Sequence, residues 1–172
     1  MPFRLKIDIL GANAFNAALI GLESQVEDMR PVWESIVPVF REIFREQFDS
    51  EGSKGASGQW APLSHPYAEI KAKKWGEQKI LHASGKLEAA LTGTTSETIT
   101  DIQKKELAFG TSLKYARFHQ TGTGRMPARP IVALSDTQTR RISKAVQLSL
   151  LEQIKRDRRI TPELGVASNL IE

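Results

Sequence analysis

The residues whose side chains could carry out chemistry are few and scattered along the chain. The 172 residues include three histidines, His65, His82 and His119, and no cysteine. None of the histidines has a neighbour at HxxxH or HExxH spacing, and no thiolate is present to complete a zinc site. The sequence therefore predicts no metal site.

Motifs for nucleotides and for nucleophilic catalysis are incomplete. Gly85-Lys86 lacks the upstream glycine of a GxxxxGK[ST] phosphate loop, and Gly122-Thr123-Gly124 lacks the third glycine of a dinucleotide-binding turn. No GxSxG elbow presents a serine, although a histidine, a serine and a carboxylate could still meet in space. We therefore expect no catalytic residues, no cofactor, no small-molecule substrate and a non-enzymatic protein.

The remaining candidates for chemistry are two arginines, Arg125 and Arg129, in a loop with two prolines. Proline fixes φ and favours an extended residue before it, so Met126–Pro130 should hold both arginines stiffly. Guanidinium groups held this way suit bidentate pairing with carboxylates of a neighbouring subunit or with DNA phosphates. The alternative is that Arg129 pairs within its own subunit and only locks the loop.

Charge is unevenly distributed along the sequence. The formal net charge is +4, but residues 114–159 hold eleven Lys and Arg against three acids, a net of +8, which leaves −4 elsewhere. Such a segment suits a nucleic-acid backbone or an acidic protein surface, and its simplest interpretation is a solvated helix face.

The first half of the chain predicts a strand, two helices and a long loop. Alternation over Phe3–Ile9 predicts a half-buried strand, and the spacing from Ala14 to Met29 predicts an amphipathic helix. The next helix, with Pro31 in its first turn and Pro38 expected to kink it, has a broad apolar face over 32–48. This face either forms the core or partly meets another subunit. Residues 49–66 are rich in Gly, Ser and Pro and predict a long mobile loop, anchored by Trp60.

The second half predicts helices around a hairpin. A basic helix opens at Pro66-Tyr67 and stops near Gly76, and a short helix ends before Gly93. Thr94–Ile102 and Glu106–Thr111 predict a β-hairpin. A short helix follows, with Tyr115 and Phe118 on one face and Gly122 at its end in a positive-φ conformation. Ser135 and Gln138 have capping-box spacing, so the last long, wide-faced helix should start at about Asp136.

Together these elements predict an α+β fold. Several amphipathic helices should pack on a small, mostly antiparallel sheet. Residues 1–157 should form one domain, and residues 158–172, which have no periodicity, an extended C-terminal arm or tail. The composition, 40% hydrophobic and 26% charged, is that of an ordinary soluble protein. We expect neither a membrane span nor a signal peptide, because the apolar run from Ala14 to Leu22 and the alternating start are too short.

Four stretches, in this order, resemble the phage virion morphogenesis family, which includes tail completion proteins and the G protein of Mu-like phages and prophages. They are Gln59–Ser64, Ile80–Leu87, Tyr115–Gly122 and Met126–Pro130, and the resemblance runs from about Phe40 to Leu151. It implies a structural protein of the head–tail junction, with no catalytic residues to carry over.

The resemblance also implies partners and a location. We expect a homo-oligomeric ring, a hexamer, which contacts other neck or tail proteins and has DNA passing through its lumen. The protein would be made in the bacterial cytoplasm and end in the virion. The residues that we expect at its interfaces are Trp60, Pro62, Leu63, Tyr115, Phe118, His119, Arg125, Met126 and Arg129.

The alternative function is a basic nucleic-acid-binding module. The +8 segment favours it, because Lys and Arg neutralise phosphates. Aromatic residues that could stack on bases are sparse beside these charges, and no helix-turn-helix or zinc pattern is present. Salt should separate the two functions, since phosphate-driven binding falls steeply as ionic strength rises, whereas a ring held by apolar faces survives.

Overall fold

The computed structural model of the chain describes residues 5–6, 28–76 and 79–156. Within these ranges helices pack on a three-stranded antiparallel sheet, which confirms the predicted α+β class. In chain order the elements are β1 (Leu5–Lys6), α1 (Arg30–Asp49), α2 (His65–Trp75), α3 (Lys86–Thr92), β2 (Thr98–Ile102), β3 (Leu107–Thr111), α4 (Ala116–Thr121) and α5 (Asp136–Arg156).

The sheet is built around β3, which pairs with β1 on one side and β2 on the other. β2 and β3 form the predicted hairpin, with Thr98 opposite Thr111 and Ile102 opposite Leu107. Its turn is closed by the N–H of Gln103, which donates to the carbonyl of Glu106 at 2.8 Å. The hairpin prediction is therefore confirmed.

Several predicted segments lie wholly or partly outside the described residues. The strand predicted over residues 3–9 is described only at Leu5–Lys6. The helix predicted from Ala14 lies outside them, except for Met29, which precedes α1. The C-terminal arm predicted over residues 158–172 also lies outside.

The core of the described residues is organised by α1. The rings of Phe40 and Phe44 each stack on Phe109 of β3, with centroids 5.8 Å apart in both pairs. Such aromatic pairs contribute roughly 0.5–1.5 kcal/mol beyond the burial of their area. They fix the helix on the sheet.

The wide apolar face of α1 is used inside the subunit. All its large apolar side chains are buried or half-buried in the core, and the helix continues through Pro38. This favours the core-helix interpretation over contact with another subunit, because the sheet, α3 and α5 together cover the face. Among the described residues, the large apolar side chains that remain exposed are Tyr67, Ile70, Tyr115, Phe118, Leu148 and Leu151.

The last helix, α5, runs antiparallel to α1. Ser35, early in α1, donates from its hydroxyl to that of Ser149, late in α5, at 2.8 Å. At the other end, Arg141 donates to the carboxylate of Glu46 at 3.0 Å. The start of α5 is the predicted capping box, since the N–H of Ser135 donates to Gln138 Oε1 at 3.0 Å.

The loop after α1 is joined to the segment before α5. The N–H of Ala56 donates to the carbonyl of Ala133 at 2.8 Å, and Gln47 Nε2 donates to the same oxygen at 3.1 Å. Gly55 lies between them, where a Cβ would come within 2.4 Å of the Gln47 side chain and 2.8 Å of the Ala133 oxygen. The close approach of Gln47 and Ala133 to residue 55 therefore needs a glycine at this position. The predicted mobility of this loop stays a prediction.

We predict that Gly55→Ala destabilises the protein by about 1–3 kcal/mol, the usual cost of overpacking a close contact. Gly124→Ala is the matched control, because nothing lies within 4 Å of the Cβ that it would add. Urea unfolding of both variants measures the difference. Equal stability of the two would show that the loop shifts away from Gln47 without cost.

Candidate assembly surface

Two proline-containing segments hold each other by reciprocal side-chain hydrogen bonds. Trp60, in the first segment, donates from Nε1 to the carbonyl of Pro130 at 2.9 Å. Arg129, in the second, donates from Nε to the carbonyl of Ala61 at 2.7 Å and from Nη2 to that of Pro62 at 2.9 Å. We call these three bonds the loop clasp. They satisfy carbonyl groups that no helix or strand of the described residues pairs.

A second set of bonds attaches α4 to the residues after the clasp. Gln120 accepts at Oε1 from the N–H groups of Ile131 and Val132, both at 3.0 Å, and donates from Nε2 to the carbonyl of Val132 at 2.9 Å. The N–H of Arg129 donates to the carbonyl of His119 at 2.6 Å. The segment of residues 129–132 is therefore fixed to α4 along its length.

Arg125 lies at the tip of a tight turn. The backbones of Thr123 and Met126 exchange both hydrogen bonds, at 2.8 and 3.2 Å, which leaves Gly124 and Arg125 between them. The sequence predicted a stiff extended loop here, and the prediction missed this turn. Gly122 has the predicted positive φ, at 73°, and a Cβ there would also come within 2.8 Å of the Ala128 nitrogen.

These contacts surround a concave groove of about 930 Å³. Its walls come from the first loop segment, α2, the start of α3, α4 and the turn around Arg125. All four stretches that carry the family resemblance contribute to the lining. We call this surface the basic groove.

The residues that line the basic groove include no carboxylate. Its four cationic side chains are Lys71, Lys86, Arg125 and Arg129. Lys71 and Arg129 form its floor, at 3% and 4% exposure, and Lys71 donates from Nζ to the carbonyl of Lys79. Lys86 and Arg125 are exposed at its rim. Arg125 makes no ion pair within the described part of the chain.

Several titratable side chains lie close together in the groove, and burial shifts their pKa values. Burial lowers the pKa of Lys71, and the charge of Arg129 lowers it further, while Glu51 raises it. Burial and then the charge of Arg129 lower the pKa of His119, and burial raises the pKa of Tyr115. A neutral His119 beside a charged Arg129 is the favoured arrangement. Such a site attracts anions.

The structure brings most of the predicted interface residues together. Pro62, Leu63, Tyr115, His119, Arg125 and Met126 all line the basic groove with at least part of their side chains exposed. Phe118 is 38% exposed and lies outside the lining, with Arg117 over its ring at 4.7 Å.

Trp60 and Arg129 differ from the other predicted interface residues, because both side chains are buried within the folded chain. Trp60 is 2% exposed and packs edge-on against Phe48, with centroids 5.7 Å apart. Its predicted role as an anchor of the loop is what the structure shows. For Arg129 the structure favours the alternative, in which it pairs inside its own subunit.

Sequence reasoning missed Gln120 and Lys71 as organising residues. Gln120 stands between His119 and Thr121 with no pattern around it, and only the fold brings residues 131–132 to its side chain. Lys71 was predicted on a basic helix, and that pattern does not reveal which lysine is buried. The helix phase relative to the groove would have been needed.

The described residues contain neither a cluster of metal ligands nor a helix that could span a membrane. In that part of the chain, no group of three or more His, Asp or Glu side chains is placed to hold a metal ion. No helix described there is long and apolar enough to cross a bilayer. The ring Nδ1 of His82 instead hydrogen-bonds the carboxylate of Glu88, as a structural pair next to the groove.

Comparison with known proteins decides the family. The sequence matches the model of the phage virion morphogenesis family over residues 10–151. The chain belongs to the phage virion morphogenesis family. It is also 28% identical over 129 residues to Mu-like prophage FluMu G protein 1 of Haemophilus influenzae (strain ATCC 51907 / DSM 11121 / KW20 / Rd), which covers 75% of this chain and 84% of the relative. No solved structure matches the chain.

Membership places this protein in phage virion morphogenesis, in a structural role. The family match includes all four stretches around the basic groove, together with α1 and most of α5. The groove is therefore a surface within the region that this virion morphogenesis protein shares with its family.

We predict that Arg129→Ala destabilises this virion morphogenesis protein by about 1–3 kcal/mol, because the carbonyls of Ala61 and Pro62 lose their donors. The stability of Arg129→Lys should lie between that of the wild type and that of Arg129→Ala, since lysine keeps the charge but lacks the planar fork. The control, Arg125→Ala at the exposed tip, should stay within about 0.5 kcal/mol. Thermal and urea unfolding measure all three. Equal stability of Arg129→Ala and the control would contradict the loop clasp.

We also predict that His119 makes the stability fall with falling pH. Its folded pKa lies below its ordinary value of 6.5, so the unfolded chain binds the proton first and stability drops below that pH. His119→Gln should have a flatter dependence between about pH 7.5 and 5.5. His65→Gln, at a side chain 87% exposed, is the control. Parallel curves for the wild type and His119→Gln would contradict the prediction.

Proposed function

We propose that this protein is a non-enzymatic structural subunit that completes the phage tail and joins it to the head. We further propose that it acts as a ring of identical subunits, six in number, at the head–tail junction. It would be assembled in the cytoplasm of the bacterial host and remain in the virion. Its partners would be further copies of itself and other neck or tail proteins.

The observation that carries this proposal is the composition of the basic groove. The segments that match the family converge there on a concave surface, and they supply cations and apolar walls without any carboxylate. A concave surface with cations and apolar walls suits an acidic segment of a protein partner, through charge complementarity and burial of apolar side chains. Its His119 is held in place by backbone and ring contacts with Arg129 and Tyr115.

Family membership supports the same role. The curated relative is named as a G protein of a Mu-like prophage, and the similarity covers most of both chains. Exposed apolar side chains on α2 and α5, with Ile70 at 59% and Leu148 and Leu151 at 52%, are further surface that assembly would bury. The interfaces of a ring subunit would combine such patches with the groove.

Nucleic-acid binding remains the alternative function, and the fold weakens its main support. Within the +8 segment, Arg129 is buried in the loop clasp and Arg141 pairs with Glu42 and Glu46. The charge of Arg141 is therefore paired inside the chain, and the guanidinium of Arg129 is buried away from a nucleic-acid backbone. Tight binding of duplex DNA by the purified protein, falling steeply with added salt, would favour the alternative.

The proposal predicts the outcome of gene deletion and complementation. Deletion in a phage or prophage that encodes this protein should give filled heads and separate tails, and an antibody should label the tail end of complemented particles. Arg125→Glu should lower the infectious titre about tenfold or more, because the reversed charge would repel an acidic partner. Lys73→Glu, at an exposed lysine outside the groove, should not.

Three results would overturn the proposal. They are normally joined particles after deletion, label elsewhere than the tail end, and equal titres for Arg125→Glu and Lys73→Glu with both proteins folded. Circular dichroism and thermal melting of the purified variants establish the folded state. Arg125 makes no ion pair within the described residues, so its reversal should leave the subunit intact.

A further inference from the structure

The basic groove is suited to one kind of occupant. The cations at its rim, Lys86 and Arg125, are suited to binding carboxylates. Its walls include apolar side chains such as Leu63, Leu81 and Met126. A groove of about 930 Å³ is at the upper end of the range for pockets that bury small ligands and is large enough for a short peptide. The matching ligand is a polypeptide segment that is acidic and apolar, with no basic residues.

The chain itself contains such a segment. Residues 160–172, with the sequence ITPELGVASNLIE, include Glu163 and Glu172 and no Lys or Arg, a net charge of −2. Their apolar residues are Ile160, Leu164, Val166, Ala167, Leu170 and Ile171. The segment follows the basic run that ends at Arg159 and lies beyond the family match, which ends at residue 151. Its charge and its apolar content both complement the groove.

The groove and the start of this segment lie at opposite ends of the α1–α5 pair. The groove adjoins the end of α1, where Phe48 contacts Trp60 and Lys79 donates to the carbonyl of Asp49 at 3.2 Å. The antiparallel α5 runs away from that end, past Ser149 beside Ser35, and finishes at Arg156. A helix the length of α1 spans about 30 Å, which separates the two sites.

This separation favours contact between copies. A segment that leaves one end of a subunit and docks at the other end of the next makes a head-to-tail contact, which closes into a ring when the rotation allows. Glu163 comes seven residues after Arg156, a reach of at most roughly 25 Å, which is shorter than the distance to the groove of its own chain, so Glu163 would meet Lys86 or Arg125 of a neighbour.

We propose that residues 160–172 of one copy of the chain bind in the basic groove of a second copy, with their carboxylates facing Lys86 and Arg125. The inference rests on the proposed function, since it supplies the contact between neighbours in the ring. The binding is noncovalent and is driven by charge complementarity at the rim and by burial of apolar side chains along the walls.

Cysteine trapping tests the proposal without background, because the chain has no cysteine of its own. The full chain is made with Ala83→Cys in the groove and Ala167→Cys in the segment. The control pairs Ala167→Cys with Ala56→Cys, at an exposed alanine outside the groove. Both are oxidised as purified protein and in complemented particles, and are then separated on non-reducing gels.

The expected result is a ladder of disulfide-linked multimers for the groove pair, about tenfold more abundant than for the control. Mixing chains that carry only Ala83→Cys with chains that carry only Ala167→Cys should give dimers. A disulfide confined to single chains would overturn the proposal, since the occupant would be the chain's own segment. A ladder equal to the control's would overturn it as well.

Charge exchange provides the second variant set. Lys86→Glu with Arg125→Glu, and separately Glu163→Lys with Glu172→Lys, should each reduce the groove ladder about tenfold, and the four changes together should restore it. Lys54→Glu with Lys73→Glu removes as much positive charge outside the groove and should leave the ladder unchanged. Loss without restoration, or equal loss in the control, would overturn the proposal.

The readouts separate this inference from the proposed function. If the protein is present at the tail end of joined particles and no ladder forms there, the inference fails and the proposed function stands. If the protein is absent from particles, the proposed function fails whatever the gels show. If an added duplex DNA oligonucleotide abolishes the ladder, nucleic acid competes for the groove. This result would point to nucleic acid as the occupant and overturn the inference.

Discussion

Backbone carbonyl groups in two proline-containing segments need donors, and this constraint governs the surface around the basic groove. Residues 61–64 and 127–130 are in neither helix nor strand, and proline has no N–H to offer. Trp60 and Arg129 supply the missing donors reciprocally, each reaching from one segment to the carbonyls of the other. Because each segment completes the other, neither would be held in this geometry alone.

The shape of the basic groove follows from this clasp. Residues 129–132 are fixed to Trp60 on one side and to Gln120 on the other, and the turn before them leaves Gly124 and Arg125 exposed. Gly122 permits the sharp exit from α4, at a φ of 73° that other residues rarely adopt. Rigid loops on a packed scaffold give a partner a preformed surface, which reduces the ordering cost of binding.

The described residues fold around a core of their own. The aromatic stack of Phe40, Phe44 and Phe109 gives the described residues their own core. Apolar side chains left at the surface are on α2, α4 and α5, away from that stack. The cations of the groove floor are buried with their N–H groups on backbone carbonyls, which fix both side chains in place.

The sequence by itself determined the elements, because helix periodicity, strand alternation, the capping box of Ser135 and Gln138 and the glycine ends of helices are local rules. It also gave the family resemblance that the comparison confirmed. Only the tertiary structure decided which of the predicted interface residues are exposed and which are buried. The sequence predicted Trp60 and Arg129 at an interface, but their side-chain N–H groups donate to carbonyl oxygens about 70 residues away in the same chain. Long-range hydrogen bonds of this kind depend on how loops meet in space, and no sequence spacing encodes them.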